Sequence, residues 1–236
     1  MIVRPGSGQL HLITQPDHAA LAGRIMDRWV DLAGAERRAS ILRAVREHDN
    51  GWREPDAAPI VDPVTGRVAD FVSAPAEVRQ GVWPRGVARL ADDPWAAALV
   101  AHHAVFVYDR YRGDTAWTDF FDGMSRTRDA LMARAGGTFD RLAADYTFVR
   151  LGDLISLVFC CGWTEAQSFG RWTIQGDGDR VDITPDPFLG AVVRLEVEAR
   201  AIPEGPWPSV EEMRAAVAGS PRVSLTGVAS GASPGA

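Results

Sequence analysis

The chain has 236 residues, 46% of them hydrophobic and 24% charged, which is enough apolar material for a sizeable core and argues against global disorder. Its net charge is −6 with no basic stripe, so a nucleic-acid partner is not expected. Its strongly basic side chains are all arginine, which excludes Schiff-base chemistry on a lysine and a P-loop lysine.

Residues 1–13 read as two short strands around a turn at Pro5 to Gly8. "TQPDHAALAGRIMDRWVDLAG" then predicts a helix, with Thr14 and Asp17 at capping-box spacing and Pro16 in the first turn. Leu21, Ile25, Trp29 and Leu32 recur at helical spacing, and His18 lies on the same face, so it points inward. "ERRASILRAVREHDNGW" predicts a second helix whose buried face is Ile41, Leu42 and Val45. His48 continues that face, Asp49 follows, and Gly51 is a plausible stop. Residues 52 to about 90 are punctuated by Pro and Gly and read as a long excursion over a site, with one short helix near 75–80.

"DPWAAALVAHHAVFVYDRYRG" predicts a central helix capped by Asp93 with Pro94 in its first position. Trp95, Leu99, His102 and Phe106 form one stripe; Ala96, Val100, His103 and Val107 form the next. Further helices are expected from about 117 to 135 and from about 138 to 162, the second placing Tyr146, Val149, Asp153, Ser156 and Cys160 on one face. After Gly162 the pattern alternates as strands do, with a hairpin signal at "GDGD" and a short helix capped by Ser209 with Glu212. The expected architecture is mainly α. A helical core spans 1–165, a small antiparallel α+β appendage spans 166–228, and a disordered tail spans 229–236.

Cys160 and Cys161 are adjacent, where a mutual disulfide would be strained, and free thiols suit a reducing compartment. The N-terminal segment lacks the apolar stretch of a signal peptide, and Leu154 to Cys161 is too short to span a bilayer. A cytoplasmic protein with no membrane partner is expected.

Four side chains stand out: His18, His48, Asp49 and Asp153. Asp153 sits within "RLGDLISLVFCC", where an ionised carboxylate needs a partner, because burying it alone costs several kcal/mol. Imidazoles with carboxylates suit a divalent transition metal such as zinc, manganese, iron or nickel. Each feature also has an ordinary reading: a satisfied core histidine, a helix-ending His-Asp cap, or an Asp153 pair with Arg150.

Taken in order, "H…HD…D" resembles the HD-domain metal-dependent phosphohydrolase superfamily. "QPDHAALAG", "EHDNGW", "TGRVADF", "AHHAVFVY" and "GDLISLVFC" more closely resemble an uncharacterised bacterial family, domain of unknown function 3891, over most of the chain. The resemblance implies an HD-like helical fold with His18, His48, Asp49 and Asp153 as metal ligands, and it supplies no substrate. The chain departs from better-known members in reading "HDNGW" for "HDIG". Two-metal enzymes add two histidines before the last Asp. Here that interval holds only His102 and His103, which project about 100° apart on a helix. One metal is therefore expected, with two as the alternative, and His103 is expected to line the pocket as ligand or proton donor.

Asp49 is the expected bridge between metal and water, and Asp56 a further base or acceptor. Arg53 is expected to receive an anionic group, with Trp52 and His102 at the substrate; His11 is read as structural. The function expected is hydrolysis of a phosphate ester or nucleotide-like small molecule. An iron-dependent HD-type oxygenase and a non-catalytic ligand-binding protein are the alternatives. The appended sheet is free to cover the core or to pair with a second copy in a homo-oligomer.

Overall fold

The computed structural model describes residues 1–62 and 64–232. The chain opens with strands β1 (Ile2–Pro5) and β2 (Gln9–Ile13), then helices α1 (Gln15–Met26), α2 (Val30–Ala33) and α3 (Arg38–Glu47). A single 3-10 turn, Asn50–Trp52, leads into α4 (Arg53–Ala57). The remaining long helices are α5 (Ala76–Ala88), α6 (Pro94–Val107), α7 (Thr118–Arg134) and α8 (Phe139–Cys161). Strands β3 (Gln167–Phe169), β4 (Trp172–Asp177), β5 (Arg180–Thr184) and β6 (Val192–Pro203) follow, and α9 (Val210–Gly219) precedes β7 (Arg222–Gly231).

The helix starts follow from their capping residues. Thr14 Oγ1 accepts the Asp17 N–H at 3.1 Å, and the Asp93 carboxylate accepts the Ala96 N–H at 3.0 Å. Helix α8 stops at Gly162, whose φ of 69° is the left-handed conformation that glycine adopts freely. From Leu151 to Cys160 every residue of α8 is buried, because it packs on α1, α3 and α6 and also against β1, β3, β4 and β5. Each fully buried aliphatic side chain there contributes about 1.5–3 kcal/mol relative to exposure. Asp153 lies in the middle of that stretch.

The expectation of a mainly α protein with a small antiparallel appendage is overturned. Seven strands form one mixed sheet in the order β1-β2-β6-β7-β5-β4-β3. The N-terminal hairpin joins it through β2 and β6, with His11 opposite Ala201 and Leu12 opposite Arg200. Strands β5 and β7 run parallel, and every other neighbouring pair is antiparallel. Local alternation reveals a strand but not its partner. Partners nearly 200 residues apart leave no mark in a short window of sequence.

One face of the sheet packs on the helices through Ile174, Val181, Ile183, Leu195 and Val197. The other face presents Arg194, Glu196 and Glu198 to solvent, so β6 reads as strict alternation. A smaller cluster of Met1, Leu10, Leu12, Val68, Ile202 and Met213 lies under α9. Strand β7 takes in residues 229–231 of the expected tail, and residues 233–236 lie outside the described residues. Among the described residues no helix is long and apolar enough to cross a membrane.

The stretch 52–90 is more regular than its punctuation suggests. Helix α5 runs through Pro84 because Val82, Trp83 and Val87 are buried and the helix packs on α6, which offsets the missing backbone donor.

Candidate metal centre

Four helices aim side chains at one point. The first turn of α1 supplies His18, the end of α3 supplies His48 and Asp49, α6 supplies His103 and α8 supplies Asp153. All five are buried. Two glycines let these elements approach. A Cβ on Gly152 would lie 2.8 Å from Met26 Cγ and 2.9 Å from Val45 Cγ1, so α8 closes on α1 and α3 beside Asp153. A Cβ on Gly51 would lie 1.9 Å from the Val82 carbonyl oxygen, so the turn after His48-Asp49 is pressed against the backbone of α5.

His18 Nε2 stands 2.9 Å from Asp49 Oδ2. His48 Nε2 stands 3.6 Å from Asp49 Oδ2 and 3.5 Å from Asp153 Oδ1. His103 Nε2 stands 3.8 Å from Asp153 Oδ2. The ligand atoms of His18, His48 and Asp49 all lie within 4.8 Å of one another, as do those of His48, His103 and Asp153. Buried His and Asp groups thus come together in an arrangement that could hold a metal ion.

The outer hydrogen bonds decide which nitrogens face inward. His48 Nδ1 is 2.7 Å from the Val45 carbonyl, which only accepts, so Nδ1 carries hydrogen and Nε2 turns to the two carboxylates. That Nε2 is buried and has no hydrogen-bond partner. Ser156 Oγ donates to the Asp153 carbonyl at 2.9 Å, so it accepts from His18 Nδ1 at 2.9 Å. The Nε2 lone pair of His18 is left facing a carboxylate oxygen. Two imidazole lone pairs turned on two carboxylates repel unless a cation lies between them, so the donor set fits a metal ion.

The electrostatics agree. Burial pulls the His48 imidazole down, but the Asp49 and Asp153 carboxylates outweigh it and raise its pKa to about 9. A proton thus takes the cation's part when nothing else does. Burial pushes both carboxyls up, yet their neighbours win and hold them below the usual range. The charge of His48 acts on Asp49, and those of His48 and Arg150 act on Asp153. Arg150 Nη1 binds Asp153 Oδ2 at 2.6 Å and leaves Oδ1 toward His48. The pairing of Asp153 with Arg150 is therefore present together with the histidine cluster. His103 has its pKa lowered to about 3, chiefly by burial, and stays neutral, with Nδ1 3.0 Å from the Tyr146 hydroxyl.

A cleft of about 390 Å³ opens onto Asp49, His103 and Asp153. Trp52, Trp83 and Tyr108 line it, as do the exposed rings of Phe106 and Trp163. The other residues singled out in the sequence lie elsewhere. His102 turns from the cleft and packs on Tyr146 and Phe139, at ring separations of 4.5 and 5.7 Å. Asp56 accepts the Gln15 N–H at 2.6 Å and pairs with the Met1 ammonium. Arg53 is exposed and pairs with Glu47 at 3.1 Å. Arg53 and Asp56 line a larger cleft of about 750 Å³ beside Arg200, Arg214 and Arg222; no histidine lines it, and the His/Asp cluster opens onto the 390 Å³ cleft instead. His11 is half-buried on β2 beside Gln9. Arg79 and Tyr108 line the smaller cleft without having been anticipated. Arg79 falls within the short helix expected near 75–80, but a single arginine there carried no signal for a site.

A helical core closed by a mixed sheet, with a buried His/Asp cluster open to a cleft, defines a protein suited to holding a metal ion. The family described as Protein of unknown function (DUF3891) matches residues 1–204, and the chain belongs to it. All five clustered side chains and strands β1 to β6 fall within the match. Neither the curated proteins nor the solved structures contain a significant match to the chain.

Proposed function

We propose that this protein is a metal-dependent hydrolase of the HD type, acting on a phosphate ester or a nucleotide-like small molecule. The observation that carries the reading is His48 Nε2, buried and unpartnered between Asp49 and Asp153 beside a cleft of substrate size. The order of the ligands along the chain, His18, then His48-Asp49, then Asp153, supports the HD kinship. The two ligand groups share the single Nε2 of His48, which favours one ion over two, and hydrolysis over oxygen chemistry on paired irons.

His18, His48, Asp49 and Asp153 would hold the ion, with His103 as a fifth ligand or a hydrogen-bond partner. When bound, such an ion supplies Lewis acidity that polarises a phosphoryl oxygen and acidifies water. Asp49, on the cleft wall, orients the attacking water and accepts its proton. The new bond joins water oxygen to phosphorus as the ester P–O bond breaks. The departing oxygen takes up a proton from water in the open cleft, with His103 there as its hydrogen-bond partner, and the proton held by Asp49 returns to solvent. Arg150 keeps the Asp153 carboxylate ionised and turned inward.

The test is elemental analysis of the purified protein and of His48→Ala, followed by a panel of phosphate esters and nucleotides with each metal supplied. About one transition metal per chain is expected, lost in the variant together with the activity. Protein that takes up no metal after reconstitution, or that is metal-loaded yet inactive across the panel, refutes the reading.

A further inference from the structure

The cleft has a second polar feature away from the His/Asp cluster. Arg79 on α5 and Arg110 in the turn after α6 both line it. Among the described residues neither guanidinium has a carboxylate within 4.0 Å, in a chain with 31 acidic residues against 25 arginines. Two cations left unpaired in one cleft, where acid is in excess overall, form a receptor for an anion from outside.

Arg79 is also held in place. Its Nη1 donates to the Tyr111 hydroxyl at 2.9 Å. Its guanidinium lies 5.1 Å from the Tyr111 ring and 5.3 Å from the Trp117 ring, and those rings stack at 4.6 Å with 6° between their planes. The Nε donor of Arg79 is buried with no partner. The Arg110 guanidinium lies 4.9 Å from the same Tyr111 ring. The hydrogen bond from Arg79, with Arg110 nearby, draws the Tyr111 hydroxyl below its ordinary pKa, as a locally positive corner requires. Aromatic rings span the distance from this corner to the metal centre. Arg79 lies 6.0 Å from the Tyr108 ring, Tyr108 lies 6.0 Å from Trp83, and Trp83 lies 5.6 Å from His103.

We propose that Arg79 and Arg110 form an oxyanion subsite, and that the natural ligand carries an anionic group at one end, a flat or apolar middle, and its reacting group at the other. The subsite rests on the proposed function only in taking this cleft as the substrate cleft. The rings of Trp83 and Tyr108 face the apolar middle; the two guanidiniums take the carboxylate or phosphate at the far end.

The test needs no turnover. Metal-stripped protein is titrated with 2-naphthoate and with its neutral counterpart 2-naphthamide, followed by calorimetry. Wild type is expected to prefer the anion at least tenfold, and the preference is expected to weaken with salt. Arg110→Gln, an exposed position where folding is not at stake, is expected to weaken 2-naphthoate at least threefold and leave 2-naphthamide unchanged. Arg79→Gln together with Arg110→Gln is expected to abolish the preference while metal content stays at the wild-type level. Equal binding of the two probes by wild type, no binding of either, an anion preference undiminished in Arg110→Gln, or one that survives in the double variant overturns the subsite. Loss of the metal reading would leave the preference for the anion intact, so the two failures are told apart.

Discussion

Replacing Gly51 by alanine would test whether close backbone packing sets the geometry of the His/Asp cluster proposed to hold a metal. The added Cβ would lie 1.9 Å from the Val82 carbonyl oxygen, 2.8 Å from its carbonyl carbon and 3.1 Å from the Gly86 nitrogen. Cβ atoms essentially never come nearer than 3.0 Å, so at least 3.0 − 1.9 = 1.1 Å of separation must be created between two backbones. No side chain can swing aside. Either α5 retreats or the turn carrying Asp49 does, and a shift of about 1 Å is enough to spoil ligand geometry. Overpacking of this kind costs about 1–3 kcal/mol, and a backbone-on-backbone clash belongs at the upper end. The gain from stiffening the unfolded chain, about 0.4–1 kcal/mol, offsets only part of it. For a chain of this length 1 kcal/mol moves Tm by about 2–4 °C, so Gly51→Ala should melt roughly 5–10 °C lower. The assay is a thermal melt of metal-stripped protein, which keeps ligand binding from masking the change, followed by metal titration. A Tm within 2 °C of wild type with unchanged metal affinity would refute the packing argument.

Gly123, inside α7, is the opposite case. A Cβ there meets nothing within 4 Å, so Gly123→Ala should stabilise the protein by about 1 kcal/mol and raise Tm by a few degrees. His102 supplies a pH signature. Burial, with Arg128 nearby, lowers its pKa from 6.5 to about 4. Below pH 6.5 the unfolded chain takes up a proton that the folded chain refuses, so stability present at neutral pH is lost as pH falls toward 4. With its partial exposure discounted, the loss is about 2 kcal/mol. Chemical denaturation across this window should show the acid-side slope reduced in His102→Gln; an unchanged slope would count against the assignment.

The cluster was legible because its members continue apolar stripes at helical spacing. His18 shares a face with Leu21 and Ile25, and His48 shares one with Val45. His103 follows Ala96 and Val100 on the central helix, and the structure buries it beside Asp153 while His102 packs on Tyr146 and Phe139. Asp153 announced itself as a charge amid apolar neighbours. The sheet was not legible, because β2 finds its partner across almost the whole chain. Helix α5 was obscured by Gly81, Pro84 and Gly86, of which Gly86 serves packing: a Cβ there would lie 2.9 Å from Asn50 Oδ1. Arg53 and Asp56 follow the His-Asp pair closely in sequence, yet α4 carries them to a different cleft. Nearness along the chain said nothing of which way that short helix would turn.

The pairing of β2 with β6 bears on the order in which the molecule can be made. Every side chain of the cluster has been synthesised once Asp153 leaves the ribosome, yet α1, which carries His18, hangs directly from β2. Until residues 200–203 emerge, the inner edge of β2 has no strand to bind, and Leu10 lacks Ile202 opposite it. A nascent chain holding all five side chains of the cluster therefore still lacks the support of their first member. Residues 200–203 thus complete the seating of a strand that precedes all five of those side chains.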